Sequence, residues 1–180
     1  MPQMFEEGEG ELIESAKKGD KEAFGDLYGM HLKRIYRFLF FQLKDEQTAE
    51  DLTEQTFIKA WDKINSFRIK KGGSFRAWLF KIARNLALDY FRKKPTISLS
   101  EIPEPKSFDN TEEKIYLDEK SKELKVAIDK LPSTLRQAVI LRYLEELPYE
   151  QVAKALGKRK GTVRVMIFRA LKTLRKELGK

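Results

Sequence analysis

The residue types that carry covalent chemistry are almost missing from this chain of 180 residues. It has no cysteine and one histidine, His31. Disulfides, thiolate metal sites and thiol-based redox sensing are therefore excluded. Any Ser/His/Asp set would have to use His31. That histidine falls among Leu27, Tyr28, Leu32 and Ile35 at helical spacing, which predicts a structural role. Gly72–Gly73 is too short to cradle a phosphate and instead predicts a helix start. No catalytic residue, metal or cofactor is expected. What remains is electrostatic chemistry. The chain carries 36 Lys and Arg against 28 acids, a net charge of +8, which favours an anionic partner. Nucleic acid and an anionic membrane surface both qualify.

The basic charge is organised. Gln151 to Lys180 holds ten Lys or Arg and one acid, Glu177. The stretch reads as a helix over Tyr149–Leu156, a turn at Gly157 and a second helix over Gly161–Leu178. A short helix, a glycine turn and a basic second helix can present side chains to the DNA major groove. Val152, Ala153 and Leu156 would pack inward from the supporting helix. Val163, Ile167, Ala170, Leu171 and Leu174 would form the inner face of the recognition helix. Lys158, Arg159, Lys160, Thr162, Arg164, Val165 and Arg169 are left for the outside. Arg and Lys there suit guanine edges or phosphates, and Thr162 or Val165 suits a thymine methyl group. A merely solvated basic face is the plainer alternative, but it explains neither the turn nor the apolar spacing.

A second basic face lies near the middle of the chain. Phe75, Trp78, Leu79, Ile82, Ala83, Leu86 and Tyr90 form an apolar stripe at helical steps, after Ser74 as a candidate N-cap. Lys81, Arg84, Asn85, Leu88 and Arg92 fall on the other side, followed by Lys93 and Lys94. Cationic and polar groups beside aromatics suit single-stranded DNA, whose phosphates follow the charge and whose bases need stacking or polar pockets. Phe75 and Trp78 are expected in the core. Arg84, Asn85 and Arg92 are the better contact candidates. A third element has the opposite sign. Asp45, Glu46, Glu50, Asp51 and Glu54 open a helix over Gln47–Asn65 with no basic residue among them. Acids suit a helix N-terminus, but five exceed that need. A face ending in Phe57 and Trp61 could dock a basic partner.

Positioning these faces requires two helical blocks. The first contains helices over Gly10–Lys18, after the N-cap candidate Asp20 and carrying Phe24 to Leu39, over Gln47–Asn65 and over Ser74–Lys94. Pro95, Pro103 and Pro105 interrupt helical periodicity and predict a linker. The second block holds helices over Glu112–Lys130 and Thr134–Glu146, the latter capped by Ser133, then the helix-turn-helix. No strand-like alternation persists. The expectation is an all-α protein of two helical domains, 1–94 and 112–180, joined by a flexible linker, 95–111. No apolar run could span a bilayer, and residues 1–10 lack a signal-peptide core, which predicts a cytoplasmic protein without membrane insertion.

Three segments together resemble one known family. DEQTAEDLTEQTFIKAW, Asp45–Trp61, is similar to the core-polymerase-binding segment of bacterial sigma factors. FRAWLFKIARNLALDYFRKK, Phe75–Lys94, is similar to the segment that opens and reads the downstream promoter element. LPSTLRQAVILRYLEELPYEQVAKALGKRKGTVRVMIFRALKTLR, Leu131–Arg175, resembles the domain that reads the upstream element. Their order and separation resemble the small extracytoplasmic-function (ECF) group of the sigma-70 family.

The resemblance implies binding to core RNA polymerase through the clamp helices of its largest subunit, with Asp51, Gln55, Phe57 and Trp61 in the matching segment. It implies a recognition helix in duplex promoter DNA and capture of a base flipped from the melted non-template strand. By that resemblance Asn85 would stand near the base, and Arg84, Arg92, Lys93 and Lys94 would hold the backbone. It implies an acidic linker, with Glu101, Glu104 and Asp109, threading toward the polymerase active-site channel, and an anti-sigma factor as a partner. Two positions depart from the family pattern: Lys158 replaces a frequent apolar residue, and Pro148 replaces a frequent Ser or Thr cap. A stand-alone helix-turn-helix regulator would explain only the C-terminal block. A basic adaptor using these helices for protein contacts alone would show no steep salt dependence on DNA.

Overall fold

A computed structural model describes residues 8–68, 71–93 and 119–179. The expected linker and Lys94 lie outside the described residues, as does the start of the helix expected from Glu112. Helix α1 spans Glu9–Lys17, α2 Lys21–Leu43, α3 Glu46–Lys63 and α4 Phe75–Lys93. A 3₁₀ turn, Ile64–Ser66, follows α3. The second half holds α5 Glu119–Asp129, α6 Ser133–Val139, α7 Tyr149–Leu156 and α8 Lys160–Glu177. The described residues contain helices and turns but no strand.

Side-chain caps set the starts of α2, α3 and α4. Asp20 accepts from the backbone N–H groups of Glu22 and Ala23 at 2.9 and 3.1 Å, which caps α2. Asp45 accepts from Thr48 N–H at 2.9 Å and caps α3. Ser74 Oγ accepts from Ala77 N–H at 3.1 Å at the start of α4. Ser133 does not cap as expected. Pro132 holds the N-cap position of α6, Ser133 is its first helical residue, and no side chain caps it.

The helix expected over Thr134–Glu146 also differs. Its regular α form ends at Val139, and Ile140–Leu144 widen into a π turn. Glu145 N–H reaches Ile140 C=O at 3.0 Å, and Leu147 N–H reaches Leu141 C=O at 2.9 Å. Such turns re-aim side chains. Here Ile140 and Leu141 enter the core, and Glu145 becomes buried. Glu146 then takes a left-handed conformation with φ 54°. Left-handed backbone is unfavourable for a residue with a Cβ. Because Glu146 is exposed, Glu146→Gly should raise stability by roughly 0.5–1 kcal/mol in denaturant titration, the relieved strain exceeding glycine's added chain entropy.

The first half packs α2 against α1, α3 and α4 around Leu27, Ile35, Phe38, Leu39, Phe75 and Phe80. His31 has the structural role expected of it. It is 1% exposed, and its Nε2 lies 2.8 Å from the buried Glu9 Oε1, tying α1 to α2. In the second half, Ala127, Ile128, Leu131, Val139, Ala170 and Leu174 form a separate small core. The larger core runs from the first half into the second, because α4 packs on α7 and α2 touches α6. Val152, Ala153 and Leu156 of α7 belong to it.

Candidate nucleic-acid interface

The helix-turn-helix forms where its sequence predicts. Gly157 ends α7 at φ 61°, a left-handed position that glycine occupies without a steric penalty. The next N–H, of Lys158, returns to Ala153 C=O at 2.9 Å. Pro148 stands at the N-cap position of α7, so the helix begins without a side-chain cap. On α8, Val163, Ile167, Ala170 and Leu174 are buried, and Leu171 is half-buried. This inward stripe turns the opposite face to solvent. Lys158, Arg159, Lys160, Thr162, Arg164 and Arg169 are all exposed, and Val165 is 49% exposed.

Two contacts orient the cations. Lys160 Nζ pairs with Glu150 Oε1 at 2.8 Å, and this hydrogen bond holds the Glu150 carboxyl below the usual carboxylate range. The Arg164 guanidinium lies over the Tyr149 ring, 5.8 Å from its centroid. Phe168, 68% exposed on α8 and next in sequence to Arg169, was missed by sequence reasoning. Its apolar character assigned it to neither face.

Helix α4 divides as its pattern requires. Phe75, Leu79, Phe80, Ala83, Leu86 and Ala87 are buried. Asn85, Arg92 and Lys93 are exposed. Arg92 pairs with Asp89 one turn earlier. Leu88 and Phe91 are exposed on the same helix, giving the cations apolar neighbours. Trp78 is half-buried rather than fully in the core. It packs on Phe67 and Phe75 with ring centroids 4.8 and 5.5 Å away.

Arg84 is half-buried, and its Nε donates to Gln137 Oε1 at 3.2 Å. Burial lowers its pKa from the ordinary guanidinium value. A half-open cavity of about 340 Å³ lies beside the start of α4, lined by Phe67, Arg68, Ser74, Trp78, Lys81 and, from α7, Lys154.

The acidic face of α3 is also formed. Asp51, Glu54 and Gln55 are exposed. Phe57 departs from expectation: it is 4% exposed, packed edge-on against Tyr28 at 4.7 Å. It lies in the inward stripe with Thr53, Thr56 and Ala60, so it cannot line a docking surface in this structure. Ile58, the next residue, is 60% exposed and takes the outward place. Trp61 is half-buried against Phe24 at 5.0 Å. Where α3 begins, burial, reinforced by Glu46 and Glu50, pushes the Tyr36 hydroxyl up to about 12.

No group of three His, Asp or Glu side chains that could hold a metal occurs among the described residues. No helix among them is long and apolar enough to cross a membrane.

The described residues thus combine an acidic face on α3, a polar and basic face on α4 and a basic helix-turn-helix. The sigma-70 region 2 family matches residues 27–95, and the sigma-70 region 4 family matches residues 121–174. The ECF sigma factor BldN of Streptomyces coelicolor is 33% identical over 168 residues, 91% of this chain and 63% of its own length. The ECF sigma factor SigW of Bacillus subtilis is 32% identical over 178 residues, 92% of this chain and 94% of its own. The structure of sigma factor RpoE from Bartonella quintana, bound to the anti-sigma factor NepR, superposes with a TM-score of 0.65 at 27% identity. It covers 87% of this chain and 96% of that one. The chain belongs to the ECF family of RNA polymerase sigma factors.

Proposed function

We propose that this chain is a promoter-recognition subunit of RNA polymerase, without catalysis of its own, acting in the cytoplasm. Residues 1–94 form its polymerase-binding and strand-opening domain, and residues 112–180 its upstream-element domain. One observation carries this reading: a single chain presents two separate basic surfaces and one acidic surface, each on a different helix.

The acidic face, with Asp51, Gln55 and the outward Ile58, docks the basic clamp helices of core polymerase, with Trp61 at its edge. Charge complementarity sets the encounter, and the apolar centre adds burial. Lys158 and Arg159 in the turn, with Lys160, Thr162, Arg164, Val165 and Arg169 of α8, meet the upstream element as duplex. On α4, Asn85 hydrogen-bonds a base flipped from the non-template strand, while Arg84, Arg92 and Lys93, with Lys94 next in sequence, hold its backbone. Unstacking a base costs a few kcal/mol, so the pocket must return that in hydrogen bonds and stacking. An anti-sigma factor is a fitting partner, because the Bartonella relative was solved with one.

Footprinting tests this reading. With core polymerase, the chain should protect two separated promoter segments and leave reactive, unpaired bases in the downstream one. A single protected segment, bound equally well without polymerase, would favour the stand-alone regulator.

A further inference from the structure

We propose that Glu150 is a selectivity residue of the upstream reader, a built-in counter-charge for Lys160. It holds Lys160 back from DNA in sequence-independent encounters and yields it only to an oriented contact at a cognate site. The proposal rests on the promoter-recognition reading above.

The setting is strongly cationic. Lys158, Arg159 and Lys160 are consecutive where the turn runs into α8. Arg159 holds the N-cap position of α8, no side chain caps that helix, and its first turn carries no acid. The positive end of a helix dipole disfavours cations there. After Glu146 the sequence has two acids, Glu150 and Glu177. Glu177 pairs with Lys130 at 2.7 Å. It lies about 25 Å along α8 from Lys160. Glu150 is therefore the one acid of the helix-turn-helix at its DNA-reading end.

Its geometry is specific. Glu150 is the second residue of α7, and its Oε1 accepts from Lys160 Nζ at 2.8 Å across the turn. Lys154, one turn later on α7, and Lys71 add attraction to the same carboxylate. One carboxylate thus serves three lysines, and Lys160 has the short contact. The Lys160 side chain is 44% exposed and that of Glu150 55%. The pair therefore stays within reach of an approaching duplex and can be exchanged without unfolding anything.

Magnitudes decide when the pair yields. An exposed ion pair shifts an equilibrium by about fivefold or less. A loose phosphate contact in a sliding complex releases about one counterion, a gain of the same order near physiological salt. Lys160 would first have to leave Glu150, so it gains little by switching. A cognate site differs. Base contacts by Arg164 and Arg169 fix the duplex in one register, which holds a guanine edge in place for Lys160. An oriented contact of that kind contributes about 5- to 150-fold and outcompetes Glu150. Sequence-independent binding thus lacks a cation that cognate binding has.

Salt titrations of the full-length chain on a short random-sequence duplex test this, with thermal unfolding measured alongside. Glu150→Gln should tighten that binding about fivefold near physiological salt and steepen its log–log salt slope by about 0.9, the value of one more neutralised phosphate. Adding Lys160→Gln should cancel the steepening. In run-off transcription, random-sequence competitor should inhibit the Glu150→Gln holoenzyme at about fivefold lower concentration. An unchanged salt slope in Glu150→Gln overturns the proposal, and a lowered melting temperature as its sole effect would make the pair a fold contact only. A steepening that survives Lys160→Gln also overturns it, because Glu150 would then act as a general repulsive charge. If the unsubstituted chain directs no promoter-specific transcript, the functional reading fails, while the salt slopes still decide whether Glu150 holds Lys160.

Discussion

Asn85→Ala should lose promoter opening while keeping polymerase binding and upstream recognition, and Arg164→Ala should do the reverse. The two side chains sit on different helices in different halves of the chain, both exposed and away from the packed stripes. Neither replacement removes core contacts, so stability should change by no more than about 0.5 kcal/mol. Asn85 offers a short amide with donors and an acceptor to a flipped base. Its loss should reduce permanganate-reactive open complex by about 5- to 150-fold, the value of a good base contact.

Arg164 has a guanidinium held near Tyr149, which limits its wandering before DNA arrives. If it reads a base edge, alanine should cost about 1–3 kcal/mol and relax preference at one position of the upstream element. If it meets phosphate, binding should weaken across all sequences and the salt slope should fall by about one. Equal loss of polymerase binding by both variants would show that the division of roles is wrong.

Ile58→Asp should weaken association with core polymerase by at least about tenfold without lowering the melting temperature. An apolar side chain 60% exposed amid acids gains little from folding. At the centre of a docked face it would be buried, and central apolar contacts carry about 2 kcal/mol or more in such interfaces. Phe57→Ala gives the contrasting result. That ring is buried against Tyr28, so its removal should cost about 3–5 kcal/mol of stability. Thermal unfolding and polymerase co-elution, measured on both variants, separate the two neighbours. Asp51→Lys should behave like Ile58→Asp but with stronger salt dependence, because its contribution is mainly electrostatic attraction.

Features set by short-range chemistry were legible in the sequence. The N-cap Asp20 acts on N–H groups two and three residues away, whereas Asp45, read only as one of the acids opening α3, turns out to cap it in the same way. Gly157 marks its turn because its left-handed backbone penalises other residues. The inner stripe of α8 followed directly from its spacing, and the outward basic residues followed from that stripe.

Less was legible where adjacent positions share a stripe edge. On α3, Phe57 and Ile58 are both apolar, and helical spacing did not decide which turns inward. Packing against Tyr28 decides it. The π turn at Ile140–Leu144 was not visible, because its widened bonds accompany tertiary placement of Glu145 rather than any local composition. The joint between the halves was equally hidden. Arg37, Gln42, Gln137 and Glu145 are ordinary surface residue types, and their partners lie 95 to 108 residues away.

The most direct measurement is run-off transcription by purified core RNA polymerase on a pooled promoter library, with and without this chain. Promoter-specific transcripts that appear only when the chain is added, sharing two separated sequence elements, are the expected result. A polymerase from the same organism that is neither bound nor redirected would contradict it, and would return the chain to the class of self-sufficient DNA-binding regulators.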